Sequence, residues 1–163
     1  MDWLVGEITS LLIAPLETNN LTAKGDNYPS IYLSNYYENT SDPSKKVFKA
    51  LNLANFSNSI VYGNKNDEIE IDSLGDIPFN YKFNYCLIKG ENLKKTASVF
   101  HFENIVWNKN PKFKLHQTGN FELDTLSAAI DVGDISIGNL FPLDLNNKSR
   151  ISDKAPDMGA YEH

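Results

Sequence analysis

Apolar and polar residues alternate along much of this chain, and the period is two rather than 3.6. Phe79-Asn80-Tyr81-Lys82-Phe83-Asn84-Tyr85-Cys86-Leu87-Ile88 alternates before Gly90, and Glu68-Ile69-Glu70-Ile71-Asp72 alternates strictly. Pro29 to Tyr37 reads as a strand ending near an Asn, and Asn58-Ser59-Ile60-Val61-Tyr62-Gly63-Asn64 as another with a Gly-Asn turn. Asn104-Ile105-Val106-Trp107-Asn108 follows, then Asn110-Pro111-Lys112-Phe113. Helix signals are poor, Asn is frequent, and Gly and Pro punctuate. The pattern predicts an all-β chain. Its strands recur at loosely solenoid spacing, although spacing alone would also suit a β-sandwich. The polar stretch Glu38–Lys45 reads as a loop excursion between strands.

The last third carries an ordered set of motifs. Phe121-Glu122-Leu123 is followed by Ser127-Ala128-Ala129-Ile130-Asp131-Val132-Gly133-Asp134. Asp144-Leu145-Asn146-Asn147-Lys148-Ser149-Arg150 and Asp157-Met158-Gly159-Ala160-Tyr161-Glu162 come next. This set resembles the C-terminal signature of a family of secreted bacterial right-handed parallel β-helix proteins. These are pectate-lyase-like in fold, and many are surface proteins of a variable, "choice-of-anchor" type. Asn58–Asn64, Phe83–Ile88 and Asn110–Phe113 resemble earlier stretches of the same family, so the likeness covers about residues 55–162. Ala128 stands where Pro is usual, Asn110 where Asp is usual and Asn147 where Gly is usual. Asn tolerates the left-handed backbone that Gly would supply, so the last turn can survive.

The resemblance implies a short right-handed parallel β-helix, a solenoid, ending in a C-terminal cap. Residues 55–163 would form the terminal coils and cap, and residues 1–54 strands and a loop packed on the stack. Asn at strand ends, such as Asn35, Asn64 and Asn108, would stack at the corners. Ile130, Leu140, Phe141, Leu143, Ile151, Met158 and Tyr161 would plug the end of the core. Arg150 would pair with one or more of Asp131, Asp157 and Glu162, since a guanidinium can hold two carboxylates. This set reads as a structural cap rather than as a catalytic arginine with paired acids. An extracellular or outer-surface location follows from the resemblance alone.

Composition narrows the partners. A net charge of −6 and a single arginine argue against nucleic acid, which needs clustered cations. One cysteine, Cys86, excludes an intrachain disulfide and reads as a small buried hydrophobe. Met1 to Glu7 lacks the basic start of a signal peptide, which suggests a fragment with its export signal upstream. Leu11-Leu12-Ile13-Ala14 is too short to span a bilayer.

Glu68, Glu70 and Asp72 share one strand face by spacing, with Ile69 and Ile71 on the other. With Lys82 on the following strand they form a candidate binding site for a cation such as calcium, or a carboxylate pair for sugar chemistry. The competing reading is a solvated face neutralised by Lys82. Phe79, Tyr81, Phe83 and Tyr85 form either core or a sugar-stacking row, and core suits their area better. Asp144-Leu145-Asn146 begins like a calcium loop, but Ser149 and Ala155 break the pattern. His101, His116 and His163 have no zinc spacing, and no nucleophile elbow, phosphate loop or dinucleotide fingerprint is present. The expected function is a structural or carbohydrate-binding role with polysaccharide as partner, no cofactor, and no catalysis by this segment. The alternative is a polysaccharide lyase or glycoside hydrolase acting from upstream coils or from the Glu68/Glu70/Asp72 face.

Overall fold

A computed structural model describes residues 6–9, 12–13, 29–39 and 41–163, the first two stretches as backbone only. Residues 1–5, 10–11, 14–28 and 40, part of the stretch 1–54 expected to pack on the stack, lie outside the described residues. The described chain is mostly strand, with two short helices, α1 (Leu93–Thr96) and α2 (Ile135–Leu140), and a 3₁₀ turn at His116–Thr118.

Three parallel sheets make the framework. The first has the order β1 (Gly6–Thr9), β6 (Leu51–Ser57), β9 (Phe79–Asn84) and β11 (Phe102–Glu103). The second sets β12 (Val106–Trp107), β10 (Leu87–Ile88), β7 (Ile60–Val61) and β2 (Leu12–Ile13) side by side. The third pairs β3 (Ile31–Ser34) with β8 (Ile69–Asp72). Register is kept from sheet to sheet: Phe56 lies beside Phe83 and Phe83 beside Phe102, while Ile60 lies beside Leu87 and Leu87 beside Val106. The boundary expected at 54/55 falls inside β6.

The turn between the first two sheets has one backbone solution, used three times. Asn58, Tyr85 and Asn104 follow strand ends that lie in register, and their φ angles are 48°, 51° and 54°. All three are left-handed, a conformation that costs most side chains roughly 1–2 kcal/mol and Asn less. Asn58 Nα donates to Asn84 O at 3.3 Å and Tyr85 Nα to Glu103 O at 3.1 Å, so the corners are hydrogen-bonded in a column. Asn104 Nδ2 donates to Asn84 Oδ1 at 3.2 Å across that column.

Two further strand pairs are antiparallel. β4 (Tyr36–Asn39) and β5 (Asp42–Phe48) form a hairpin, so the polar stretch Glu38–Lys45 is a paired excursion rather than a loop. Asn39 Oδ1 accepts the Ser41 and Asp42 amides and closes its turn. β13 (Phe113–Leu115) pairs with β14 (Asn120–Leu123).

All three parallel sheets face one apolar core. Phe56, Phe83 and Phe102 from the first, Val61 and Ile88 from the second, and Ile31 and Ile69 from the third meet there with Cys86. The phenyl rings stack in a column, Phe56 on Phe83 at 4.3 Å between centroids and Phe83 on Phe102 at 5.2 Å. Phe83 is fully buried and Phe79 and Tyr81 continue the aromatic contacts, whereas Tyr85, turned at the corner, leaves this row and packs on the opposite side of the turn.

The C-terminal tail packs elsewhere. A second cluster joins Ile60 and Leu87, with Val106 packed against it, to Leu123, Ala129 and Met158. Ile60 and Val61 are successive residues of one strand, so they point to opposite faces of the sheet. The tail therefore covers the outer face of the second sheet and does not plug the core. Of the seven expected plug residues, Met158 and Ile130 join this second cluster, Tyr161 is half-buried outside both clusters, and Leu140, Phe141, Leu143 and Ile151 are exposed. The physical reason lies in Ile60-Val61, Leu87-Ile88 and Val106-Trp107. Each two-residue strand is apolar on both faces, and the outer face needs a cover.

Asn58 joins corner to tail. Its Oδ1 accepts Asp134 Nα at 2.6 Å, its Nδ2 donates to Asp134 O at 3.1 Å, and its carbonyl accepts Gly159 Nα at 2.8 Å. Gly159 has φ 104°, and a Cβ there would sit 3.0 Å from Ile60 Cδ1. Asn58→Ala should cost roughly 2–4 kcal/mol, combining left-handed strain with a stranded Asp134 amide. Asn58→Gly keeps the backbone and should cost less. Urea denaturation of the pair checks the order, and equal losses would refute the strain component.

Candidate functional site

The tail residues assemble around Arg150. It is 3% exposed, donates from Nη1 to Glu162 Oε1 at 2.8 Å and from Nη2 to Gly159 O at 3.1 Å. Its Nε has no hydrogen-bond partner among the described residues. Of the three carboxylates expected beside it, Glu162 makes the ion pair. Asp157 turns to backbone instead, accepting Asp131 Nα at 2.8 Å and His163 Nα at 2.6 Å. Asp131 takes part through that amide, with its own backbone left-handed at φ 55°.

Asp144 is a member of this network that spacing did not reveal. Buried, it accepts Asn146 Nα and Lys148 Nα through Oδ1 and Glu162 Nα through Oδ2. What begins like a calcium loop is thus a carboxylate saturated by its own backbone. The signal was the run Asp144-Leu145-Asn146-Asn147, a turn-forming stretch whose Asp binds amides two and four residues on. Asn147 is left-handed at φ 60°, as expected of a residue standing in for Gly.

Three buried carboxylates around one guanidinium leave an excess of negative charge. Burial, followed by the neighbouring Asp157 charge, pushes Glu162 up to about 7, against the pull of Asp157 Nα and Arg150. Burial also raises Asp157, despite its two amide donors.

The acidic face divides. Glu68 precedes β8 and is buried at 2% exposure. It accepts Ser30 Nα at 3.2 Å and Ser30 Oγ at 2.6 Å through Oε2, and Lys65 Nα at 2.6 Å through Oε1. Gly63 makes room, since a Cβ there would lie 2.4 Å from Glu68 Oε1. Glu70 and Asp72 stay on the outer face of β8, opposite buried Ile69 and half-buried Ile71. Lys82 does not join them. It lies on β9 in another sheet and pairs with Glu103 at 2.6 Å. The four-residue site expected from spacing therefore reduces to Glu70 and Asp72.

Aromatic side chains complete that smaller site. Tyr32 lies beside Glu70 in register and donates its phenol to Asp72 Oδ2 at 2.7 Å. The Tyr36 phenol donates to the same oxygen. These two bonds, Tyr32 first, hold Asp72 below the usual carboxylate range, and the Asp72 bond raises Tyr32. Tyr32 is 51% exposed, and Lys46 Nζ sits 4.1 Å from the centroid of the Tyr36 ring. Tyr62 and Trp107, by contrast, are half-buried against the two apolar clusters. Among the described residues no group of three or more His, Cys, Asp or Glu is placed to hold a metal ion, and no helix is long and apolar enough to cross a membrane. Cys86 is buried, which pushes its thiol up to about 12.

Two outcomes follow for the tail. Arg150→Ala should cost roughly 3–5 kcal/mol by leaving buried carboxylates without their cation. Glu162 holds a proton in the folded state between its ordinary 4.5 and about 7 that the unfolded chain releases. Its contribution is therefore full below 4.5 and lost as pH rises through about 7. Denaturation midpoints should fall across that window, and Glu162→Gln should flatten the slope. A midpoint that climbs from pH 5 to 7, unchanged by the variant, would reverse this assignment. No family model, curated protein or solved structure matches this chain.

Proposed function

We propose that the chain is a terminal section of a right-handed parallel β-helix from a secreted or surface-anchored bacterial protein, with a structural and carbohydrate-binding role. The in-register repetition of corner and strand supports the scaffold half of this reading. Successive strands recur in the same sheets, the corners at Asn58, Tyr85 and Asn104 form a column, and one core takes residues from all three sheets. Right-handed crossovers are the rule where parallel strands return to one sheet. The tail is then a side cover carried by the terminal coils.

The observation that carries the binding half is Tyr32. Its ring is half open to solvent on a sheet face, oriented by a bond to Asp72 and flanked by Glu70. A fixed ring offers its face to the C–H groups of a sugar, and neighbouring carboxylates accept the hydroxyls. A rigid platform loses little freedom on binding.

Affinity electrophoresis against soluble glycans tests this directly. The chain should be retarded by at least one glycan, and Tyr32→Ala should abolish the retardation while the unfolding free energy stays within about 1 kcal/mol of the parent's. Retardation that survives Tyr32→Ala would move the site elsewhere. A screen for unsaturated or reducing-end products with calcium present separates binding from turnover. Product lost in Glu70→Gln would favour the lyase or hydrolase reading instead.

A further inference from the structure

We infer that the Tyr32 face selects an ammonium-bearing glycan, a chain of unacetylated amino sugars, over neutral or uronic acid chains. This rests on the carbohydrate-binding reading above and names the ligand class of the same face.

Three features of the face point to a cation. Apart from Lys46 over Tyr36, its hydrogen-bonding groups are acceptors. Both phenol protons are already donated to Asp72 Oδ2, so Tyr32 and Tyr36 have only lone pairs left to offer. Among the described residues Asp72 Oδ1 has no hydrogen bond and Glu70 has no hydrogen-bond or ion-pair partner. Glu70 and Asp72 are two residues apart on one strand face, roughly 7 Å along it. Tyr32 lies across from the first and is bonded to the second.

The rings add to the attraction. An aromatic face attracts an ammonium through its quadrupole, more strongly where a carboxylate stands beside it. The protein uses this contact twice among the described residues, with Lys89 over Tyr62 and, next to Asp72, with the Lys46 ammonium over Tyr36. Tyr32 presents a second ring beside the same carboxylate and is more open to solvent. Lys46 is the cation that acts on Asp72, and it lies over Tyr36 rather than Tyr32. A uronate would bring a carboxylate against Glu70 and Asp72, a like-charge contact that Lys46, over Tyr36, does not reach at the Tyr32 ring. An N-acetyl group would remove the charge that the two acids hold.

The test compares glucosamine oligomers, their N-acetylated counterparts and oligogalacturonate, by isothermal titration on the full chain at low salt. The glucosamine oligomer should bind about tenfold more tightly than the acetylated one, with no binding of oligogalacturonate. Tyr32→Ala and Glu70→Gln should each weaken it about fivefold or more, while Glu91→Gln, the same charge change at an exposed residue elsewhere, should not. Preference for the acetylated or acidic chain would overturn the ammonium inference and leave the glycan reading standing. Failure of every glycan, with Tyr32→Ala silent, would sink both. Equal binding of an oligolysine of matched charge, or equal loss in Glu91→Gln, would reduce the face to general charge attraction and refute the inference.

Discussion

The left-handed corner shared by Asn58, Tyr85 and Asn104 sets most of what lies around it. A corner residue at positive φ turns the chain sharply between two sheets, and it can be repeated only if the strands on both sides keep register. Register in turn places Phe56, Phe83 and Phe102 over one another on one side of the turn. On the other side it places Ile60, Leu87 and Val106 in a row. A one-residue slip on either side would exchange the buried and outer residues of every strand. The corner is thus a constraint on both apolar clusters at once. Asn meets it twice at low cost because its amide tolerates the conformation and bonds locally. Tyr85 meets it by packing against the second cluster, so tertiary burial offsets the strain.

That outer row explains the tail. A two-residue strand such as Leu87-Ile88 is too short to alternate apolar with polar, so its sheet has two apolar faces. The inner one closes on the core with Val61, Ile88 and Trp107, and the outer one is met by Leu123, Ala129 and Met158. The tail is held by polar contacts at its ends: Asn58 grips Asp134 at one side, and the Arg150, Glu162, Asp157 and Asp144 network fixes the chain near Met158. Burying one cation among three acids is weak evidence of stability in itself. Its use here is geometric. The acids saturate the amides of Asp131, Glu162 and His163, and so hold an irregular segment in one shape against the sheet.

Much of the strand content was legible because alternation records burial directly. Phe79–Asn84 and Ile69–Asp72 are strands where period two predicted them, and Arg150 lies with Glu162 as their spacing in the tail suggested. What was not legible depended on which sheet a strand joins. Lys82 and Asp72 are ten residues apart and alternate correctly, yet they belong to different sheets, and no local pattern encodes that. The direction of the tail was missed for a related reason. Apolar residues such as Leu140 and Phe141 look like plugs in a list, while the side cover is signalled upstream, by the consecutive apolar pairs of the second sheet. The hairpin at Tyr36–Phe48 was masked by its polarity, because charged residues such as Lys45 and Lys46 stand on strands exposed on both faces.

Glu68 and Asp72 show how the same spacing yields two chemistries. Four residues apart on an alternating stretch, both carboxylates belong to one face in an ideal strand. Glu68, however, stands before the first paired residue, where the chain still follows the turn from Gly63. The missing Cβ of Gly63 opens a space that its carboxylate fills, and two backbone amides and a serine hydroxyl saturate it there. An acid satisfied in this way organises the turn and has little left for a ligand. Asp72 is held by two phenols on one oxygen only, at the surface, with Glu70 beside it. The division follows from the turn rather than from the acids themselves. It leaves β8 with an inner half that builds the core and an outer half on which Glu70 stands open to solvent.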